Sequence, residues 1–335
     1  MGNKRLCEFD LSAEKPTPFD FQSLLSLSLF SQNKHPLFRL AASVPRKQQQ
    51  GAEVRDKDCE AAALLDEFKQ EEKKTSQKDP RYYEHCGPFG ETLLHTACLF
   101  GNIKIAEHLL KEHANKSIFL GQYFIDAQYQ KEPYMGETAL HIAIVRGDIP
   151  LVETLLHYGA NRRKKCHGEI FKPPAGLYLG ELPLSFAACI GGNIDNKRIF
   201  DLIMREEKAD PAYIALIKRP AKVTYLRSHH ILAETDLENG NTLLHLLVMK
   251  SDIAMYDYIT KMYSDDCESL QLELMENNDH LTPVKLSAKL GNPKFFDYLM
   301  KKRRKSHWIY GIQLLCVTYC LLCVLTTTPF LCRSP

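Results

Sequence analysis

One short word recurs along this chain and limits what the chain can fold into. It reads Gly90-Glu91-Thr92-Leu93-Leu94-His95-Thr96-Ala97, then Gly136-Glu137-Thr138-Ala139-Leu140-His141-Ile142-Ala143, then Gly240-Asn241-Thr242-Leu243-Leu244-His245. Each letter has a physical use. Gly permits a tight turn. Thr suits the cap of a following helix, where its hydroxyl meets an otherwise orphan backbone N–H. Apolar residues and a small Ala let one helix pair stack closely on the next. Units that bury their apolar faces only against neighbouring copies build a solenoid. A binding scaffold follows from this pattern; a chemistry does not.

Two looser copies extend the series. They are Gly180-Glu181-Leu182-Pro183-Leu184-Ser185-Phe186-Ala187-Ala188 and His280-Leu281-Thr282-Pro283-Val284-Lys285-Leu286-Ser287-Ala288. A degenerate repeat is expected before them, with Pro36 to Ala42 as its first helix and Ala61 to Phe68 as its second. A polar insertion from Pro45 to Asp58 separates the two. Second helices are expected after each word. Ile103, Ala106, Leu109 and Leu110 share one helical face, as do Leu151, Thr154, Leu155 and Tyr158. The word resembles the T-P-L-H-x-A signature of the ankyrin repeat, a β-turn followed by two helices. The expected fold is therefore an all-α ankyrin-repeat solenoid of about six repeats with long finger loops, plus a C-terminal apolar segment. Residues 1–35 read as a leader. Residues 36–300 read as the repeat domain, with repeats opening near 36, 90, 136, 180, 240 and 280. Residues 301–335 read as a basic stretch and candidate transmembrane tail.

Spacing adds a second constraint. The words open 46, 44, 60 and 40 residues apart, whereas an ankyrin repeat needs about 33. The surplus must lie in the connections, and long loops on one face of a solenoid are commonly functional. The first connection holds Phe119, Tyr123, Phe124, Tyr129 and Tyr134. The second holds Arg162, Arg163, Lys164 and Lys165, then Phe171 and Tyr178. So many aromatics predict ordered fingers that pack on one another. These eleven residues are the candidate partner-binding set. This basic run and a second one, Lys301 to Arg304, suit anionic lipid headgroups or an acidic partner such as calmodulin, or else a solvated loop and a membrane-flanking stop signal.

His95, His141 and His245 occupy the His slot of the word, where the ring bonds the backbone of a turn. They read as structural repeat residues, not as a metal or catalytic set. Cys166-His167 and His229-His230 lack a matching second pair at zinc spacing. The chain has no phosphate-binding glycine loop of the P-loop type and no G-x-S-x-G nucleophile turn. No catalytic residue, cofactor or metal is expected, and the chain is read as not an enzyme.

Composition sharpens these exclusions. A net charge of +2 in 335 residues asks for no nucleic-acid partner. The eleven cysteines are scattered, so the body is read as cytosolic and reduced. No apolar signal segment opens the chain, and Leu6 stands where N-myristoylation favours Ser or Thr. At the other end Lys301-Lys302-Arg303-Arg304-Lys305 precedes an apolar run from Trp308 to Leu325. Eighteen residues are at the short end for a membrane helix, and the basic flank would stay in the cytoplasm.

These residues resemble one ankyrin family, the vanilloid-type transient receptor potential (TRPV) cation channels. The specific stretches are Tyr134 to Ile144, Leu155 to Asn161, Gly168 to Lys172 and Gly176 to Cys189, followed in order by Gly240 to His245, Leu281 to Pro283 and Trp308 to Gly311. The resemblance covers roughly residues 36–311. It implies six repeats with long fingers, the cytoplasmic skirt of a tetrameric, calcium-permeable channel whose partners are other TRPV-like subunits. It places the chain at a membrane, the plasma membrane, with the ankyrin region cytoplasmic. The family continues past the Trp308–Gly311 stretch into six membrane helices and a pore. Here an unrelated apolar tail follows, so a truncated product unable to conduct is expected. Family members that bind nucleotide use lysines on the concave face. Glu91 and Thr96 stand at the corresponding places, which predicts weak ATP binding or none. The rival reading is a free-standing ankyrin adaptor that binds other proteins.

Overall fold

The computed structural model describes residues 35–43, 54–87, 89–118, 121–172, 178–190, 195–209, 231–264, 271–303, 305–310 and 313–317. Among these, twelve α-helices fall into six consecutive pairs. They are α1 (Pro36–Ala41) with α2 (Val54–Lys78), α3 (Leu93–Phe100) with α4 (Ile103–His113), and α5 (Ala139–Arg146) with α6 (Ile149–His157). Then come α7 (Pro183–Cys189) with α8 (Asn196–Ala209), α9 (Leu243–Met249) with α10 (Ile253–Met262), and α11 (Pro283–Lys289) with α12 (Pro293–Arg303). The first member of each pair packs on the first members of the neighbouring pairs, from α1 through α11. The second members α2, α4, α6 and α8 stack in the same order. The body is thus a single-file solenoid, each pair closing the apolar face of the one before it.

The word explains why each inner helix starts where it does. Thr92, Thr138 and Thr242 are N-caps with extended backbone. The His three residues on turns its ring back, so that Nδ1 accepts the cap's own N–H at 3.0, 3.3 and 3.1 Å. Ser185 does the same with a hydroxyl in the fourth pair, where Leu182 N–H donates to Oγ at 3.1 Å. Gly136 shows what the turn before the cap demands. Its φ is +86°, and an added Cβ would stand 2.6 Å from His167 Nδ1 and 3.0 Å from Cys166 Cα. The last repeat puts His280 in that slot at φ +59°.

The core runs along the stack and contains Leu37, Phe38, Phe68, Leu93, Leu109, Leu140, Phe186, Phe200, Tyr256 and Phe295. On the outer helices the buried face is Ile105, Ala106, Leu109 and Leu110, then Leu151, Val152, Leu155 and Leu156. Tyrosine–carboxylate bonds stitch the later outer helices together. Tyr258 and Tyr263 both donate to Asp201 of α8, and Tyr298 of α12 donates to Asp257 of α10 at 2.7 Å.

Two expectations need correction. The second helix of the first repeat is not Ala61 to Phe68 but the 25-residue α2, which begins inside the expected polar insertion. Its composition, rich in Ala, Glu, Lys, Gln and Leu, favours helix throughout. The C-terminal apolar segment is not a helix where it is described. Lys305–Tyr310 (β1) and Gln313–Val317 (β2) pair antiparallel, with Tyr310 opposite Gln313 and Lys305 opposite Val317. Aromatic and β-branched residues such as Trp308, Ile309, Tyr310 and Val317 suit strands. Among the described residues no helix is long and apolar enough to cross a membrane. The remainder of the Trp308–Leu325 run, the leader with its Phe19 to Phe30 stretch, and His229-His230 lie outside the described residues.

Candidate functional site

The connections that follow the outer helices form a row, each with one turn of 3-10 helix among its described residues. These turns are Tyr82–Glu84, Phe124–Asp126, Glu169–Phe171, Ile231–Ala233 and Leu272–Leu274. Backbone bonds lace the fingers together. Gln130 N–H donates to Phe89 O at 2.8 Å, His167 N–H to Met135 O at 2.9 Å, Cys166 N–H to Glu181 O at 2.9 Å, and Asn278 N–H to Asn239 O at 2.9 Å.

The candidate aromatics mostly face inward. Phe124, Tyr129, Phe171 and Tyr178 are buried, and Tyr134 is half-buried. Tyr129 lies 4.8 Å from the His95 ring and 6.0 Å from Tyr134, which meets Phe89 edge-on at 6.1 Å. Phe171 packs 5.5 Å from Phe186, which contacts the His141 ring at 4.9 Å. Tyr178 donates its hydroxyl to Asp236 and accepts from Asn241 Nδ2 at 3.1 Å. Tyr123 is the outward member, 56% exposed. Phe119 lies outside the described residues. The described aromatics of the set thus build the fingers from inside, with Tyr123 alone facing outward.

The basic run is also drawn inward. Arg163 Nη1 donates to Glu234 Oε1 at 2.8 Å, and Lys165 Nζ to Thr235 O at 2.5 Å. Further along, Lys172 pairs with Glu238 at 2.8 Å. These bonds clamp the second finger to the third. Arg162 and Lys164 are half-exposed beside them.

The three histidines sit deep in the stack. His141 Nε2 meets Glu181 O at 3.2 Å and His245 Nε2 meets Leu281 O at 2.8 Å, each one repeat further on. His95 Nε2 faces the carbonyls of Ala127 and Glu137, but closes a hydrogen bond of ordinary geometry with neither. Burial pushes all three rings down to about 4, so they are neutral at physiological pH. The neighbouring position of the word forms a column of carboxyls. Glu91, Glu137 and Glu181 occupy it in successive repeats, and burial raises each, Glu137 to about 8. Glu91 accepts from Phe89 N–H at 2.8 Å and Glu181 from Leu237 N–H at 2.9 Å.

Glu91 is 2% exposed and Thr96 0%. Neither reaches a surface where a nucleotide could meet it, so the expectation about ATP cannot rest on them. Cys166 is fully buried, and burial raises its thiol. Among the described residues no group of three or more His, Cys, Asp and Glu is arranged to hold a metal ion.

One polar cluster had no signature in the sequence. Glu72 of α2 meets His108 Nε2 of α4 at 2.6 Å and accepts from Tyr82, whose hydroxyl lies 2.7 Å from His113 Nε2. Its members are up to 41 residues apart, and no repeat period connects them.

Comparison with known proteins agrees with this architecture. The family described as ankyrin repeats (3 copies) matches residues 54–166. The chain is 33% identical over 231 residues to transient receptor potential cation channel subfamily V member 5 of Mus musculus, covering 67% of this chain and 27% of that protein. It is 35% identical over 231 residues to subfamily V member 6 of Rattus norvegicus, covering 67% and 25%. Against subfamily V member 6 of Homo sapiens it is 33% identical over 262 residues, covering 76% and 28%. The aligned stretch thus spans about a quarter of the length of these curated relatives. The described repeats are an ankyrin region of the kind carried by the subfamily V transient receptor potential channels.

Proposed function

We propose that this chain supplies the cytoplasmic assembly and interaction region of a TRPV-like, calcium-permeable cation channel subunit at the plasma membrane, and that conduction itself lies outside the ankyrin region. The observation that carries this reading is the identity of 33–35% to subfamily V channels over some 230 residues, coupled with fingers whose described residues pack on one another. Those fingers are supported from within by buried aromatics, which suits a rigid recognition surface better than a flexible linker. Arg163 and Lys165 serve the clamp between fingers, so any contact with anionic lipid or calmodulin is assigned to the Lys301–Arg304 run and not to these two side chains. Partners are other subunits of the same class, and Tyr123 is the residue offered to them.

The test is co-expression with a full-length subfamily V member 6 channel. Association in detergent extracts, and altered channel current compared with an unrelated ankyrin protein, are the expected results. No association with any subfamily V member would overturn the reading and leave a free-standing adaptor.

A further inference from the structure

The fourth repeat departs from the word at the two places that form the cap. Leu182 stands where Thr92, Thr138 and Thr242 stand, and Ser185 stands where the histidines stand. A hydroxyl and an imidazole are not equivalent there, because the ring spans two bonds. His141 accepts Thr138 N–H on Nδ1 and reaches the Glu181 carbonyl of the next repeat with Nε2; His245 treats Thr242 and Leu281 in the same way. Ser185 makes only the first of these bonds. Its Oγ accepts Leu182 N–H at 3.1 Å and donates to Leu182 O at 2.7 Å, so both contacts close within its own turn. The carbonyl that corresponds to those of Glu181 and Leu281 belongs to Asn241. It accepts Asp236 N–H at 3.0 Å, and a carbonyl oxygen has a second lone pair to offer.

The smaller side chain leaves room. A cavity of about 10 Å³ lies at this junction, and its lining includes Leu182 and Ser185 from the fourth repeat with Asn241 and Leu246 from the fifth. Leu246 is the landmark. It holds the place in its repeat that Phe186 holds in the one before, and Phe186 packs 4.9 Å from the His141 ring. The cavity therefore falls where an imidazole at position 185 would stand. Gly180 keeps it open: a Cβ there would lie 2.5 Å from Ser185 Oγ and 2.6 Å from Leu246 Cδ1. The space matches the roughly 10–15 Å³ that one water needs, and a buried water also needs at least two polar partners. Ser185 and Asn241 bring those partners to the lining. A metabolite or a buffer molecule is too large for it.

We propose that a single buried water occupies this cavity and stands in for the imidazole, donating one hydrogen to Ser185 Oγ and the other to the Asn241 carbonyl. Ser185 and the water together then close the cap and tie the fourth repeat to the fifth, as one ring does in the third and fifth repeats. Every group at the contact is satisfied: Oγ accepts from Leu182 N–H and from the water and donates to Leu182 O. The inference stands on this junction alone and not on the channel reading.

A crystal structure of the whole chain tests it. One ordered density peak is expected at hydrogen-bond distance, about 2.7–3.2 Å, from both Ser185 Oγ and the Asn241 carbonyl oxygen. A dry cavity, or one closed by a shifted Leu246, overturns the proposal, and this reading needs no variant to fold. The Leu182→Thr, Ser185→His double variant restores the word and adds a second readout. Its ring should displace the water, and the number of long-lived internal waters counted by oxygen-17 relaxation dispersion should fall by one from the parent. An equal count in the two proteins would mean that no water holds the ring's place.

Discussion

His141 Nε2 lies 3.2 Å from the carbonyl oxygen of Glu181, one repeat further along the chain, while its Nδ1 accepts the N–H of Thr138. A single neutral ring thus closes one helix cap and ties it to the next finger base. His141→Ala leaves both backbone groups unpaired, at about 1–3 kcal/mol each. Because burial pushes the ring to about 4, well under the roughly 6.5 of an unfolded histidine, its contribution is complete above pH 6.5. It fades as pH falls from 6.5 toward 4, where the unfolded chain binds the proton first. Urea denaturation at pH 7.5 and 5 should show the parent's advantage over His141→Ala shrinking in acid. An unchanged gap would mean that the ring is not held neutral.

Glu137 has the opposite sign. Its carboxyl is raised to about 8 by burial, above the ordinary value near 4.5. The neutral form favours folding below pH 4.5, and that contribution is lost as pH rises through 8. Glu137→Gln removes the loss, so the variant should gain on the parent by at most about 1.4 kcal/mol per pH unit between those values. The residue as a whole is only half-buried, which places the expected gain toward the smaller end. Melting curves from pH 5 to 8 that run parallel for the two proteins would refute it.

Introducing lysines at Glu91 and Thr96 should not create a nucleotide site. Both side chains are enclosed, and the Thr96 hydroxyl bonds Thr92 O at 3.2 Å. A buried, unpaired ammonium costs several kcal/mol. The Glu91→Lys, Thr96→Lys double variant should melt far below the parent, and ATP should not restore it. A folded variant that binds ATP in calorimetry would show that these positions do face the concave surface.

Much of the fold could be read in the sequence because the word encodes its own cap. Thr, then His three residues later, specifies a helix start by local bonds alone. The fingers' length was also legible, from spacing. What the fingers do with their residues was not. Phe171 and Tyr178 look like surface aromatics in a long loop, and only the meeting with Phe186 and Asp236 turns them inward. Arg163 looks like a free cation until Glu234, 71 residues away, is brought beside it. The strands at 305–310 and 313–317 were hidden by an apolar run that suits helix and strand alike.

That clamp can be opened without unfolding the body. Partly exposed ion pairs are worth at most about 1 kcal/mol, so Glu234→Gln should barely move the melting temperature. It should raise proteolytic cleavage between 160 and 172, because Lys165 to Thr235 O is then the nearest remaining tie. Cleavage equal to the parent's would show that the Arg163–Glu234 pair does not hold the second finger.

The last repeat offers a gain in stability. His280 sits at φ +59°, in the slot that Gly90, Gly136, Gly180 and Gly240 fill in the other repeats. A left-handed backbone costs an ordinary L-residue roughly 1 kcal/mol, which Gly avoids, although Gly also loses more entropy on folding. His280 is highly exposed, and its partner Glu276 lies 3.7 Å away and also pairs with Lys285 at 2.8 Å. Little is therefore lost with the ring. His280→Gly should stabilise the chain by about 0.5–1 kcal/mol, and His280→Val, β-branched and ill-suited to positive φ, should destabilise it. Denaturant midpoints of the two variants that fall on the same side of the parent would show that backbone strain is not what sets the stability of this turn.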